Sequence, residues 1–96
     1  MTQVFVVYET DAWHTISNRD CKGIYTSKRS AINAIVRNFD IDLDEFFESD
    51  YIAKTSRKRL REEAKRIVRG ELEDNFQTQG YSTNYDIEVW NVNDWG

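Results

Sequence analysis

Val4-Phe5-Val6-Val7-Tyr8, thirteen mostly polar residues, and then Lys22-Gly23-Ile24-Tyr25-Thr26-Ser27 running straight into Lys28–Asn38 form the part of this 96-residue chain that admits the fewest alternatives. The first run is β-branched and aromatic throughout, the composition of a strand covered on both faces. Lys22 to Thr26 reads as a second strand. Ser27 stands where a helix N-cap belongs, its hydroxyl able to accept from an otherwise orphan amide. Beyond it Ala31, Ile32, Ile35, Val36 and Phe39 share one face of a 3.6-residue period, so an amphipathic helix has to cover the sheet. Two strands and a helix are thereby in place within the first forty residues.

The rest of the chain has to be built around this unit. With 96 residues one domain with a modest core is expected, too small for an elaborate cofactor site. Hydrophobic residues make up 40% of the chain, so its many charges decorate a folded surface rather than a disordered one. There is no proline, and turns must rely on Gly, Asn, Asp and Ser. A single cysteine, Cys21, excludes an intramolecular disulfide. No stretch has the apolar character of a signal peptide or of a membrane span of about 18 residues, so a cytoplasmic protein with no membrane contact is expected.

Between Glu9 and Cys21 lies a connection holding Asp11, Trp13, His14, Arg19 and Asp20, read as a loop. A loop this long is more often functional or partly structured than idle. After the first helix, Asp40-Ile41-Asp42-Leu43-Asp44-Glu45 alternates acids with apolar residues in the manner of a calcium loop. Counted from Asp40, however, the glycine position is Glu45 and the closing glutamate position is Tyr51, so no metal site is expected. Asp42 as N-cap, Glu45 as its capping-box partner and Ile41 stapled to Phe46 predict instead a short helix through about Ser49. Thr55 or Ser56 then caps a third helix to about Arg69, with Gly70 suited to the left-handed position that ends it. Leu60, Ala64, Ile67 and Val68 form its apolar stripe. Beside that stripe runs a basic row, Arg57, Arg61, Lys65 and Arg69, with Lys58 close to it.

The charge pattern is lopsided. Asp40 to Asp50 holds six acids and no base, whereas Lys54 to Arg69 holds eight Lys or Arg against two Glu. Adjacent segments of opposite sign are expected to lie side by side and trim each other's self-repulsion. Leu72 and Phe76 can prolong the third helix, and Gln77 to Asn84 is a polar connection. Tyr85-Asp86-Ile87-Glu88-Val89 alternates in period 2 and predicts a last strand with Tyr85, Ile87 and Val89 inward. Trp90 and Val92 fall on the opposite side and leave an apolar patch there.

Catalytic chemistry finds little support. His14 and Cys21 lack any context that specifies a nucleophile and its base, and no oxyanion-hole motif accompanies them. One His and one Cys cannot make a structural zinc site, and the four glycines are too scattered for a phosphate loop. No cofactor is expected, and an enzyme is the least supported class.

The strand, Tyr8-Glu9-Thr10-Asp11-Ala12-Trp13-His14 and the Gly23-Ile24-Tyr25-Thr26-Ser27 stretch that caps a helix resemble small α+β proteins encoded by phages and mobile elements. The resemblance covers about the first forty residues. It implies an intracellular accessory protein that binds a host factor, and it carries over no catalytic residue.

The expected fold is therefore α+β, in the order β-β-α-α-α-β. Strands near 3–8, 21–26 and 84–92 form one antiparallel sheet of order 2-1-3, with two or three helices on one face. Val4, Val6, Ile24, Ile32, Ile35, Val36, Leu60, Ile67 and Ile87 are the expected buried positions. Trp13, His14, Trp90 and Trp95 are the candidate contacts of a non-catalytic module that binds another protein, because exposed tryptophan is the residue most enriched at interface hot spots. The alternative is nucleic-acid binding through Arg57, Lys58, Arg61, Lys65 and Arg69, a row able to neutralise phosphates.

Overall fold

The computed structural model describes residues 2–13, 17 and 19–92. Strands β1 (Thr2–Asp11), β2 (Asp20–Tyr25) and β3 (Thr83–Val92) form an antiparallel sheet of order β2-β1-β3, the architecture that the apolar patterns predict. Both β1 and β2 extend further into the first connection than expected, and a bulge at Lys22 separates the Val7–Gly23 pair from the Tyr8–Cys21 pair. Val6 and Val7, which point to opposite faces of the central strand, are both buried.

Among the described residues four helices, α1 (Lys28–Asn38), α2 (Leu43–Phe46), α3 (Ser49–Lys54) and α4 (Arg57–Asn75), lie between β2 and β3 in the chain. Ser27 caps α1 by accepting from the Ser30 amide at 3.1 Å, and Ser56 caps α4 through the Arg59 amide at 3.3 Å. Ala31, Ile32, Ile35 and Val36 of α1 pack against Val7, Tyr85 and Ile87 of the sheet and against Val68 and Leu72 of α4. Lys28 Nζ donates to the Glu73 carbonyl at 2.6 Å and Arg69 to Asn33 Oδ1 at 2.8 Å, so α1 and α4 run antiparallel. Each large apolar side chain buried in this layer contributes about 1.5–3 kcal/mol.

Several expectations give way. Gly70 does not end α4: the helix runs five residues past it, to Asn75, because Leu72 belongs to the same i, i+4 stripe as Leu60, Ala64 and Val68 and burying it outweighs a glycine's cost of about 1 kcal/mol. The left-handed terminal position goes to Phe76, at φ 61°. Its ring packs on the core beneath Lys28 Nζ, and its carbonyl accepts from the Ile87 amide at 2.7 Å, contacts that hold an uncommon conformation in place. Ile67 is exposed, since a stripe facing one neighbouring helix is narrower than the arc assigned to it. Ile24 is exposed because it pairs with Val6 on the face that carries no helix, while Tyr25 turns toward the core. Val4 is only half-buried, and Val89, expected inward, is exposed.

Asp42 does cap α2, through the Asp44 amide at 3.0 Å, but Glu45 does not complete a capping box. Its carboxylate instead holds the Ser82 amide and hydroxyl, both at 3.1 Å, and ties α2 to the turn before β3. Helix α2 stops at Phe46, and α3 is a separate turn of helix that no periodicity announced. Phe46 stacks on Tyr81 at 4.7 Å between ring centroids, with Phe39 edge-on to both.

Candidate functional site

The parity of β1 and β3 sorts the sheet into two faces. Phe5, Val7, Tyr85 and Ile87 look toward the helices. Val4, Val6, Tyr8, Ile24, Glu88, Trp90 and Val92 share the other, which no helix among the described residues covers. On that face Ile24 is 65% exposed, Trp90 52% and Val92 45%. The apolar patch expected from the alternation of β3 is therefore present, and Ile24 joins it.

A polar strut crosses the same face. Arg19, immediately before β2, lays its guanidinium 3.9 Å from the centroid of the Tyr8 ring and donates to Glu88 Oε1 at 2.6 Å. Trp90 donates its indole N–H to the other carboxylate oxygen of Glu88 at 3.0 Å. The Arg19 bond, then the indole bond, hold the Glu88 carboxyl below the usual carboxylate range, and the same Glu88 contact raises Arg19 further. Trp90 is thus an exposed aromatic held by one defined hydrogen bond, a group able to bury a large area at low entropic cost. Arg19 lies too far away in sequence for any periodicity to have placed it here.

Trp13 does not belong to this patch. It follows the far end of β1, its amide donating to Asp11 Oδ1 at 3.1 Å and its side chain 84% exposed. In the ladder Asp11 pairs with Thr83 and Val4 with Trp90, so Trp13, just past Asp11, and Trp90 belong to opposite ends of the sheet, Asp11 and Val4 being about 23 Å apart along β1 at roughly 3.3 Å per residue. Trp13 and Trp90, both candidate contacts, therefore do not share one patch of the sheet. His14 and Trp95 lie outside the described residues.

The basic row is solvent-facing throughout: Arg57, Lys58, Arg61, Lys65 and Arg69 are all exposed. Arg69 bonds Asn33, and Arg37 of α1 adds its charge around a shallow hollow shared with Arg61, Lys65 and Asp40. Among the described residues no ion pair within 4 Å joins the acidic stretch 40–50 to this row. Two of these acids are engaged elsewhere, Asp42 at a cap and Glu45 at Ser82. The partner of α4's Arg59 is Glu63 of the same helix, at 3.2 Å.

A hollow of about 340 Å³ lies between the sheet and the end of α1, lined by Glu9, Lys22, Tyr25, Asn38 and Tyr85 among others. The Tyr85 hydroxyl donates to Glu9 Oε2 at 3.1 Å. Burial, then the charge of Glu9, pushes Tyr85 up to about 12, so the phenol stays protonated at neutral pH. Cys21 is exposed on β2, and among the described residues no group of His, Cys, Asp and Glu converges to hold a metal ion. No helix among them is long and apolar enough to cross a membrane. No protein-family model, curated protein or solved structure significantly matches the chain.

Proposed function

We propose that this chain is a non-catalytic protein-binding module, acting in the cytoplasm, whose contact surface is the helix-free sheet face centred on Trp90. The observation that carries this reading is the combination, on one face, of exposed Trp90, Ile24 and Val92 with the Arg19–Glu88 strut between them. An aromatic anchor flanked by aliphatic side chains and a partly satisfied charge pair is the composition of an interface hot spot and its rim. A host factor is the partner in keeping with the phage-type proteins that the first forty residues resemble.

The test compares capture from host lysate by the intact protein, by Trp90→Ala and by Trp13→Ala, each verified as folded by circular dichroism. Loss of more than 2 kcal/mol of binding on truncating Trp90, roughly thirtyfold in Kd, is expected of a hot spot. Trp13→Ala, at the other end of the sheet, should leave capture unchanged. Equal capture by all three would sink the assignment of this face.

A second reading is nucleic-acid binding, favoured by the solvent-facing row Arg57, Arg61, Lys65 and Arg69 with Arg37 beside it. Labelled DNA and RNA titrated at low salt decide it. Affinity should fall steeply with salt, and the slope should drop by about one for each phosphate-contacting cation removed. No binding at tens of micromolar protein removes this reading.

A further inference from the structure

Strand β3 is the outer strand of the sheet on one side, and only part of its edge is occupied. The Ile87 amide donates outward to the Phe76 carbonyl at 2.7 Å, and the Tyr85 carbonyl accepts outward from the Thr78 amide at 3.0 Å. Gln77 thereby forms a short bridge opposite Asp86. Backbone groups alternate in direction along a strand, so those of Val89 and Asn91 also point outward, while Glu88, Trp90 and Val92 turn theirs toward β1. Among the described residues nothing pairs with Val89 or Asn91.

The open stretch is Glu88-Val89-Trp90-Asn91-Val92, and past Glu88 it carries no charge and no proline. Natural sheets guard free edges with charged residues, prolines, bulges or covering segments. The opposite edge, β2, has Asp20, Lys22 and a bulge. The half of β3 nearer its start has the Phe76–Thr78 segment. The Val89–Val92 edge has none of these, and Gln3, Asn91 and Val89 remain exposed even on the helix side.

We infer that this edge pairs with the same edge of a second copy of the chain, antiparallel about a two-fold axis at Trp90, joining two sheets into one of six strands. The occupant follows from self-complementarity. Centred on Trp90, the register sets Val89 against Asn91 of the second copy and Asn91 against its Val89. Every outward amide and carbonyl of the open stretch then finds a partner. Glu88 falls opposite Val92 of the second copy, so no like charges meet, and the charge of Glu88 is already neutralised by Arg19. The two Trp90 residues occupy a non-hydrogen-bonded pair on the helix-free face, where aromatic side chains approach most closely. Pairing elsewhere along β3 meets the Phe76–Thr78 segment. An isologous contact of this kind closes as a dimer rather than growing into a fibre.

This inference deepens the reading of the helix-free face, since the Trp90 pair extends that face across the dimer, and its test uses the purified chain alone. Sedimentation over a concentration series should show a monomer–dimer equilibrium. Asn91→Pro removes an outward amide from each copy without touching the β1 ladder, and should weaken the dimer by on the order of tenfold. In a Cys21→Ser background, Trp90→Cys should form an intermolecular disulfide under a thiol oxidant, because non-hydrogen-bonded pairs hold Cα atoms about 4.5 Å apart, within disulfide reach. Val92→Cys, displaced from its counterpart by about 13 Å along the strand, should not. A monomer at all concentrations, or a dimer indifferent to Asn91→Pro, or equal cross-linking at positions 90 and 92, would overturn the inference. A monomer would leave the heterologous reading standing, whereas a dimer that captures nothing from lysate would overturn only that reading.

Discussion

Thr78 and Asn84 are fully buried polar residues, and replacing Thr78 by valine probes how the segment before β3 is anchored to the sheet edge. The Thr78 hydroxyl donates to Asn84 Oδ1 at 2.9 Å and accepts from the Tyr85 amide at 3.0 Å. The Asn84 amide group in turn donates to the Tyr81 carbonyl at 2.7 Å. Valine keeps the volume of threonine and strands both hydroxyl partners. A buried group left unsatisfied costs about 1–3 kcal/mol, so Thr78→Val should destabilise by about 3 kcal/mol. For a domain of this size each kcal/mol moves Tm by about 4–8 °C, which gives a fall of roughly 10–25 °C. Thr78→Ser keeps the hydroxyl and loses a methyl, for about 1 kcal/mol. Thermal unfolding of the two variants side by side separates hydrogen bonding from packing, and hydrogen exchange adds a local readout. The Ile87 amide, bonded to Phe76, should exchange faster in Thr78→Val than in Thr78→Ser. If valine costs no more than serine, the network does not anchor this segment to the β3 edge.

Gly70 sits inside α4 with nothing within 4 Å of the Cβ it lacks, so Gly70→Ala should stabilise by about 0.5–1 kcal/mol and raise Tm by several degrees; a loss would mean that α4 breaks at that point. Burial raises the carboxyl of Glu71, whose Oε2 has no hydrogen-bond partner among the described residues although Tyr81 donates to Oε1 at 3.4 Å. A folded-state pKa above the unfolded one makes stability decline as pH rises through that interval, so Glu71→Gln should raise Tm at pH 7, and the gain should vanish below the ordinary glutamate pKa of about 4.3. Glu88 is shifted the other way: its contribution is present above that ordinary pKa and is lost as pH falls through its lowered value, which acid titration of Glu88→Gln against the unmodified chain should show as a difference under about 1 kcal/mol for so exposed a pair. Neutralising Asp42, Asp44 and Glu48 together with Arg57, Arg61 and Lys65 should be additive in a double-mutant cycle, since no ion pair joins the two sets; a coupling above about 0.5 kcal/mol would show that longer-range attraction holds them together.

The sequence by itself determined the elements whose signals are local. The apolar run Val4–Tyr8, the serine caps at 27 and 56 and the stripes of α1 and α4 each act within a few residues, and the pairing of β1 with β2 followed from the short connection between them. Tertiary structure decided everything that depends on what lies opposite. Ile24 and Ile67 carry the same chemistry as Ile32, and only the placement of helices makes them surface. Gly70 is a helix terminator by propensity, overruled by the burial of Leu72 one turn along the same stripe. Glu45 was a plausible cap partner until Ser82 came within reach. The candidate face shows the same division. Period 2 placed Trp90 and Val92 together on one side of β3, because alternation is a property of the single strand. That Trp13 lies at the other end of the sheet, that Arg19 crosses Tyr8 to reach Glu88, and that among the described residues nothing pairs with the edge of β3 beyond Ile87 are consequences of register and of the path of Phe76–Thr78. Hydrogen bonding between segments tens of residues apart sets those features, and no local pattern encodes it.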